Sequence, residues 1–315
     1  MQYASRYATK ERTIAGILLV CVTVSIWGIT FVSTKYLLRS FSAFEILLVR
    51  FIAAYLGLWA LRPKPLHLAR RRDEFLFFCA GLTGVTVYQY MENIAISFTS
   101  ASNVSIIVSI CPIFTALFAQ IFFKEKHLTA WFLLGFVLAI TGVALVSFNG
   151  AVVLHVSPKG DLLALAAAVS WGFYSLCVSK INRLSLDSIM VTRRIFFWAV
   201  IWMLPIALFG ALHPENGVAS LNLDAAANAV RWKNPLNWIN LLFLGWGASA
   251  FCFAAWTLAC RYLGTVRATV GIYVIPAVTI VFAFFALGER ITLMGALGAA
   301  LTVAGLLLSN RRTRQ

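Results

Sequence analysis

Charge is scarce in this sequence, and acid scarcer still. Only 12% of the 315 residues are charged and just 11 are Asp or Glu, against roughly 25% charged in an ordinary soluble domain. A shortfall of that size means that most of the chain faces something other than water. Several motifs that carry chemistry are missing as well. There is no HExxH, so no metalloprotease helix, and no GxxxxGK[ST], so no nucleotide-driven pump. The four histidines, His67, His127, His155 and His213, fall in or near loops, where they cannot share a buried site. The six cysteines (Cys21, Cys79, Cys111, Cys177, Cys252, Cys260) sit within or at the ends of apolar runs, with no CxxC pair and no metal-ligand spacing. They read as buried, inert thiols rather than as disulfides or metal ligands. No cofactor, metal or catalytic set is expected, and no repeated filter sequence marks an ion channel.

What the chain has in abundance is apolar length. Hydrophobic residues make up 61% of it. Apolar runs fall near 14–36, 44–61, 75–97, 101–123, 131–148, 161–180, 188–210, 238–260, 267–287 and 292–309. A membrane span needs roughly 20 mainly apolar residues, so these predict ten transmembrane helices with little left for a soluble domain. Helices are expected because lipid cannot satisfy exposed backbone groups, and the runs lack the alternation of barrel strands. The first run is too long for a signal peptide and is followed by no small-x-small cleavage site, so it reads as a retained helix. Thr129 and Thr292 each precede a span, where a hydroxyl can cap the first turn. The one long loop, about 211–237, reads as a connector in preference to a lid.

The net charge of +15 would suggest nucleic acid in a soluble protein. Here the basic residues lie between apolar runs and act as topology signals. Of 26 Lys and Arg, 17 fall on the side of the two termini and six on the other, with Arg50, Arg193 and Arg194 inside runs. That bias predicts both termini in the cytoplasm and residence in the cell (inner) membrane.

The two halves resemble each other. Trp27-Gly28 matches Trp171-Gly172 and Arg50 matches Arg194, both at an offset of 144 residues; Pro112 matches Pro276 and Glu125 matches Glu289 at 164. After a one-residue slip, Gly135 and Gly142 correspond to Gly298 and Gly305. The chain therefore divides into residues 1–150 and 151–315, five helices each. Five is odd, so the second copy enters the membrane upside down. The expected fold is an all-α membrane protein of ten transmembrane helices as two inverted five-helix repeats. Inverted repeats supply two nearly equivalent packings, open to opposite sides, around a midplane site.

The blocks "WGITFVSTK", "FTSASNVSIIVSICPIFTALFAQIFFKEKHLT" and "ALGERITLMGALGAALTVAGLLL" resemble signature segments of the drug/metabolite transporter superfamily, EamA-type. The resemblance covers essentially the whole chain. It implies ten helices, cytoplasmic termini and, usually, export of amino acids, related metabolites or toxic compounds. An acidic residue in the third span, Glu92, departs from the commonest pattern.

Glu92 is the most informative single position. A deep ionised carboxylate costs about 3 kcal/mol on insertion scales, so it must pair, protonate or face a wet cavity. It is the candidate proton-coupling group, and Tyr88 and Gln89 share its helix face. Arg50 is a candidate charge partner for Glu92 or for a substrate carboxylate, or else snorkels to the headgroups. Trp27 and Trp171 lie mid-span, outside any aromatic belt, and either line a cavity or pack; Tyr174 points in a similar direction to Trp171. Ser102, Ser105 and Ser109 form a hydroxyl stripe with Asn103 beside it, and Tyr273 aligns with Ser109 just before the matched prolines. A proline frees a carbonyl one turn earlier, which needs a partner or a ligand. The candidate substrate-binding set is thus Trp27, Tyr88, Gln89, Glu92, Ser105, Ser109, Trp171, Tyr174 and Tyr273. Gly295, Gly298 and Gly305 read as a packing surface. These features predict a secondary transporter exporting a small amphipathic metabolite by alternating access, with protons as candidate partners. Export of cationic drugs is the alternative, or, outside transport, a membrane sensor or channel.

Overall fold

A computed structural model describes residues 2–99, 101–124, 127–148, 157–212, 221, 225–287 and 293–309. Glu125, Glu289, Thr292, His155 and His213 lie outside the described residues, as do the side chains of Ser102 and Asn103 and the surroundings of Gly295. Every regular element among the described residues is helical, and there is no strand.

The first half opens with α1 (Gln2–Leu37) and α2 (Ala43–Leu61). A capping box starts α2: the Ser42 hydroxyl accepts from the Glu45 N–H at 3.1 Å, and the Glu45 carboxylate accepts from the Ser42 N–H at 2.8 Å. The run predicted at 75–97 is α3 (Glu74–Gly81), a π-turn at Leu82–Val87 and α4 (Tyr88–Phe98). The next is broken in two: α5 (Ala101–Val108) ends in a turn, and α6 (Cys111–Phe123) restarts with Pro112 in its first turn. Proline has no N–H to give the preceding turn and its ring crowds the carbonyl four residues back, which explains the break. Next comes α7 (Ala130–Phe148), where Thr129 accepts from the Phe132 N–H at 3.2 Å as the cap expected of it.

The second half runs through α8 (Pro158–Asn182), α9 (Ser188–Leu212), α10 (Ala225–Lys233) and α11 (Pro235–Leu242). A second π-turn, Phe243–Phe251, joins α11 to α12 (Cys252–Leu263). Then α13 (Thr265–Val270) passes through one 3-10 turn, Gly271–Val274, into α14 (Ile275–Leu287), with Pro276 as the second residue of α14; α15 (Leu293–Ser309) follows. The third and fourth apolar runs of each half thus carry the same kind of irregularity: a π-turn, then a break at the matched proline.

Among the described residues, five stretches are long and apolar enough to cross a membrane: 10–37, 43–61, 158–182, 188–212 and 235–263. Shorter apolar helices occupy 111–123, 130–142, 265–279 and 300–309. Burial is inverted relative to a water-soluble protein. Large aliphatic side chains stand exposed, among them Leu18, Leu56, Val137, Leu208 and Leu307, while Arg50, Gln89, Glu92 and Asn93 are buried. Lipid favours that arrangement: an outer apolar face costs nothing there, and a charge is tolerated only inside the bundle. The α7–α15 pair packs backbone to backbone. A Cβ on Gly142 would lie 2.5 Å from the Thr302 nitrogen, and one on Gly305 would lie 2.4 Å from the Ala139 nitrogen, so only glycine permits the approach.

The segment 211–237, expected to be a connector, contains a docked helix. Arg231 of α10 makes a bidentate pair with Glu45, each bond 2.8 Å, and both side chains are only 8% exposed. Its guanidinium lies 4.7 Å from the Phe41 ring centroid. The pair joins α10 to the capped start of α2, because Glu45 serves both the cap and the bridge.

Candidate functional site

The centre of the bundle can be located along α1. Gly16 lies against Leu263 at the end of α12, whereas Lys35 donates to the carbonyls of Ile96 and Thr99 at the end of α4, at 2.7 and 3.0 Å. At 1.5 Å per residue these points are about 28 Å apart, close to the hydrocarbon thickness, and Trp27 sits about 12 Å from Lys35. Trp27 is therefore near mid-depth.

Around it the aromatic side chains form a box. The ring of Trp27 lies 5.4 Å from Trp171, 5.1 Å from Trp256 and 5.6 Å from Phe253; Tyr88 lies 4.9 Å from Trp171. The Trp27–Trp171 contact is edge to face, with the planes at 88°, which sets the positive ring edge of one indole on the π face of the other. Trp27 and Trp171, matched in the two halves of the sequence, meet directly.

Polar groups enter from α2 and α4. Arg50, 2% exposed, donates from Nε to Ser249 Oγ at 2.6 Å and from Nη1 to Gln89 Oε1 at 2.7 Å. Gln89 and Glu92 are buried on one face of α4. Glu92 stands one turn beyond Tyr88 on the same face of α4, and both line one chamber with Arg50. Asn93 donates to the Ala43 carbonyl at 3.1 Å and so holds α4 against the first turn of α2.

Both π-turns serve this centre. Such a turn disturbs the regular ladder and frees carbonyls, a recurrent device at functional sites. The Ala248 carbonyl of the second π-turn accepts from Trp27 Nε1 at 2.9 Å, and Ser249 beside it holds Arg50. The Thr83 carbonyl of the first accepts from the Ser170 hydroxyl at 2.7 Å, next to Trp171. Gly84 in the same turn has the Tyr174 ring laid over it: a Cβ there would fall 2.1 Å from Tyr174 Cδ2.

Trp27, Thr30, Phe31, Arg50, Tyr88, Gln89, Glu92, Trp171, Ile272 and Ile275 enclose one central cavity of about 20 Å³. A water needs about 10–15 Å³, so the chamber holds one water and no metabolite. Larger cavities lie toward the opposite ends of α1: about 250 Å³ beside Leu263 and Arg267, and about 350 Å³ beside Lys35 and Arg39. Neither shares a lining residue with the centre.

Six of the residues singled out in the sequence, Trp27, Arg50, Tyr88, Gln89, Glu92 and Trp171, line this chamber. Tyr174 stands behind Trp171, with ring centroids 4.9 Å apart. Ser105 and Ser109 are buried on and just after α5, outside the lining. Tyr273 packs among Ala116, Ala119, Val266 and Val270, with its ring 6.4 Å from Phe136, while its neighbours Ile272 and Ile275 face the chamber. Thr30 and Phe31 were missed, although they follow Trp27 at helical spacing and share its face. Arg194 does not mirror Arg50. It pairs with Glu74 at 2.7 and 2.9 Å at the start of α3, and Arg193 binds the carbonyls of Arg62 and Lys64 beneath the Trp59 ring. No group of three His, Cys, Asp or Glu among the described residues could hold a metal.

Apolar helices turned outward around a small polar and aromatic chamber define a multi-pass membrane protein. The profile of the EamA-like transporter family matches residues 14–148 and again 158–311, and the chain belongs to that family. It is a membrane transporter, and its family is one of transporters rather than enzymes. It is 30% identical over 316 residues to a protein of Escherichia coli (strain K12) described as a probable amino-acid metabolite efflux pump, covering 93% of this chain and 94% of the relative. It is 28% identical to a probable terminal-alkyne amino-acid exporter of Streptantibioticus cattleyicolor, covering 93% and 92%. A crystal structure at 17% identity shares the fold, with a TM-score of 0.68 over 96% of each chain.

Proposed function

We propose that the chain exports a small amphipathic metabolite, an amino acid or a close relative, across the inner membrane by alternating access. In this reading residues 1–150 and 151–315 are inverted five-helix repeats, ten spans in all, with both termini in the cytoplasm. The observation that carries it is the small central chamber, lined from both halves by Trp27 and Trp171, with larger cavities toward either end. A site that holds one water at mid-depth can admit a metabolite only if the two halves move apart, first toward one side and then the other. The double family match, the paired π-turns and the paired proline breaks support the repeat.

The chamber's chemistry suits a zwitterion. Arg50 can take a carboxylate, Glu92 or the indole faces can take an ammonium, and Phe31, Ile272 and Ile275 can meet an apolar side chain. The names of the two relatives point the same way. Glu92 is the proton-coupling group of this reading: a buried carboxylate that exchanges a proton between the two open states links flux to a pH gradient. The test is reconstitution into proteoliposomes with an imposed pH gradient and a pool of labelled amino acids. Wild-type protein accumulates substrate against its gradient, and Glu92→Gln retains exchange but loses the gradient-driven part. Unchanged uptake with unchanged pH dependence in the variant removes Glu92 from the mechanism.

A further inference from the structure

The 250 Å³ cavity is separate from the central chamber and shares no residue with it. Thr115, Ala119 and Phe123 of α6 form one wall, and Ser175, Leu176 and Ser179 of α8 another. The bend between α12 and α13, Leu263 to Arg267, closes it. Its volume is more than ten times that of the chamber, and a little below the roughly 300–1,000 Å³ of sites for drug-sized ligands. It suits a small metabolite.

Its lining has a definite chemistry. Hydroxyls come from Thr115, Ser175, Ser179 and Thr265, and the Thr115 hydroxyl donates to Ser175 Oγ at 3.2 Å, tying α6 to α8. Arg267 and His127 are the basic residues of the lining, and Arg267 stands exposed at its edge. Phe123 of the opposite wall carries Lys180 and Arg183 over its ring, at 5.6 and 5.2 Å from the centroid. Leu176, Leu263 and Val266 supply an apolar floor. Cation, hydroxyls and apolar floor together match a carboxylate with a short polar and apolar body, since a guanidinium binds a carboxylate in a planar two-bond fork.

The cavity also lies on a path. Ser175 and Ser179 follow Trp171 at four and eight residues, so all three share one face of α8 and span about 12 Å along its axis. The face that lines the chamber at Trp171 lines this cavity one turn later.

We propose that this cavity is a second binding site, in which a small carboxylate-bearing metabolite is captured through Arg267 at the cytoplasmic end before the central chamber opens. The capture role rests on the export reading above; the carboxylate chemistry does not. The test uses full-length protein in phosphatidylcholine nanodiscs carrying Ser179→Cys, with Cys21, Cys79 and Cys177 replaced by serine. Two thiol reagents of opposite charge, a sulfonatoethyl and a trimethylammonioethyl methanethiosulfonate, are each normalised to their rate with 2-mercaptoethanol.

The anionic reagent should react about tenfold faster than the cationic one, and Arg267→Ala should abolish that preference, whereas Arg267→Lys should keep most of it. A pool of neutral L-amino acids should slow the labelling, and the same pool as carboxamides should not. Equal normalised rates, indifference to Arg267→Ala, or equal or absent protection by acids and amides would overturn the proposal. Protection by added phosphatidylglycerol in place of the acids would assign the cavity to a lipid headgroup and overturn it too. Arg267 is exposed, so its replacement leaves the packed core alone. If the reconstituted protein moves no amino acid while Arg267→Ala still alters the labelling, the export reading fails and the carboxylate site stands.

Discussion

Replacing Arg50 by methionine keeps an unbranched apolar stem and removes the charge, which isolates what the guanidinium does. Two charge-assisted hydrogen bonds go, to Ser249 and to Gln89. Such bonds are worth about 1.5–3 kcal/mol in soluble proteins but nearer 0.6 kcal/mol on average for polar contacts between membrane helices. The larger loss is electrostatic, because Glu92 stays buried without its compensating cation. Breaking a directly bonded buried ion pair from one side costs about 3–5 kcal/mol; Arg50 and Glu92 share the chamber without bonding each other directly, so we take a smaller loss, about 2 kcal/mol. Glu92→Gln keeps the side chain's shape and an acceptor oxygen and should cost about 1 kcal/mol. The double variant removes both charges and should be less destabilised than the sum of the singles, with a coupling of about 1–2 kcal/mol. Equilibrium unfolding in mixed micelles titrated with dodecyl sulfate, followed by tryptophan fluorescence, gives the four values of the cycle. Trp27, Trp171 and Trp256 report the site directly. Additivity within about 0.5 kcal/mol would show that the two charges do not sense each other and would refute the reasoning.

Two packing predictions follow from other parts of the structure. Gly84→Ala places a methyl in the Tyr174 ring, so overpacking should cost about 1–3 kcal/mol and lower the unfolding temperature; an unchanged temperature would mean that Tyr174 does not lie over the first π-turn. Glu45→Gln weakens both the α2 cap and the buried pair with Arg231. A loss of about 3 kcal/mol local to α10 should speed amide hydrogen exchange across Ala225–Lys233 by roughly two orders of magnitude, and exchange matching the wild type would show that the helix is held by other contacts.

Much of the architecture was legible because the membrane imposes a simple rule. A run of apolar residues must become a helix in lipid, so 44–61 and 188–210 anticipated α2 and α9 to within a residue or two at each end. The matched prolines announced the breaks between α5 and α6 and between α13 and α14, since a missing N–H acts locally. The polar face of α4 was legible from three- and four-residue spacing, and the same spacing applied to Trp27 would have found Thr30 and Phe31. Tyr273 was not legible in this way. It sits in a 3-10 turn, where the rotation per residue differs from that of an α-helix, so its neighbours face the chamber and it faces α7. The α10 helix escaped because its anchor, Glu45, is 186 residues away and its own composition reads as loop.

The abundance of long apolar runs and the scarcity of charge determined, without any structure, that this chain lives in a membrane and keeps its few buried charges inward. Those properties depend on each residue's cost of transfer from water, which is a local quantity and survives in one dimension. Which cation enters the site was decided only in three dimensions. Arg50 and Arg194 occupy matched places in the sequence, yet Arg50 finds Ser249 and Gln89 at the centre while Arg194 finds Glu74 at a helix end. The difference lies in the partners, one of them 199 residues distant and presented by a π-turn, and in the gathering of ten side chains, eight of them aromatic or polar, around a space for a single water. A repeat in sequence sets out two similar halves; how their side chains interlock at mid-depth depends on the packing of both at once.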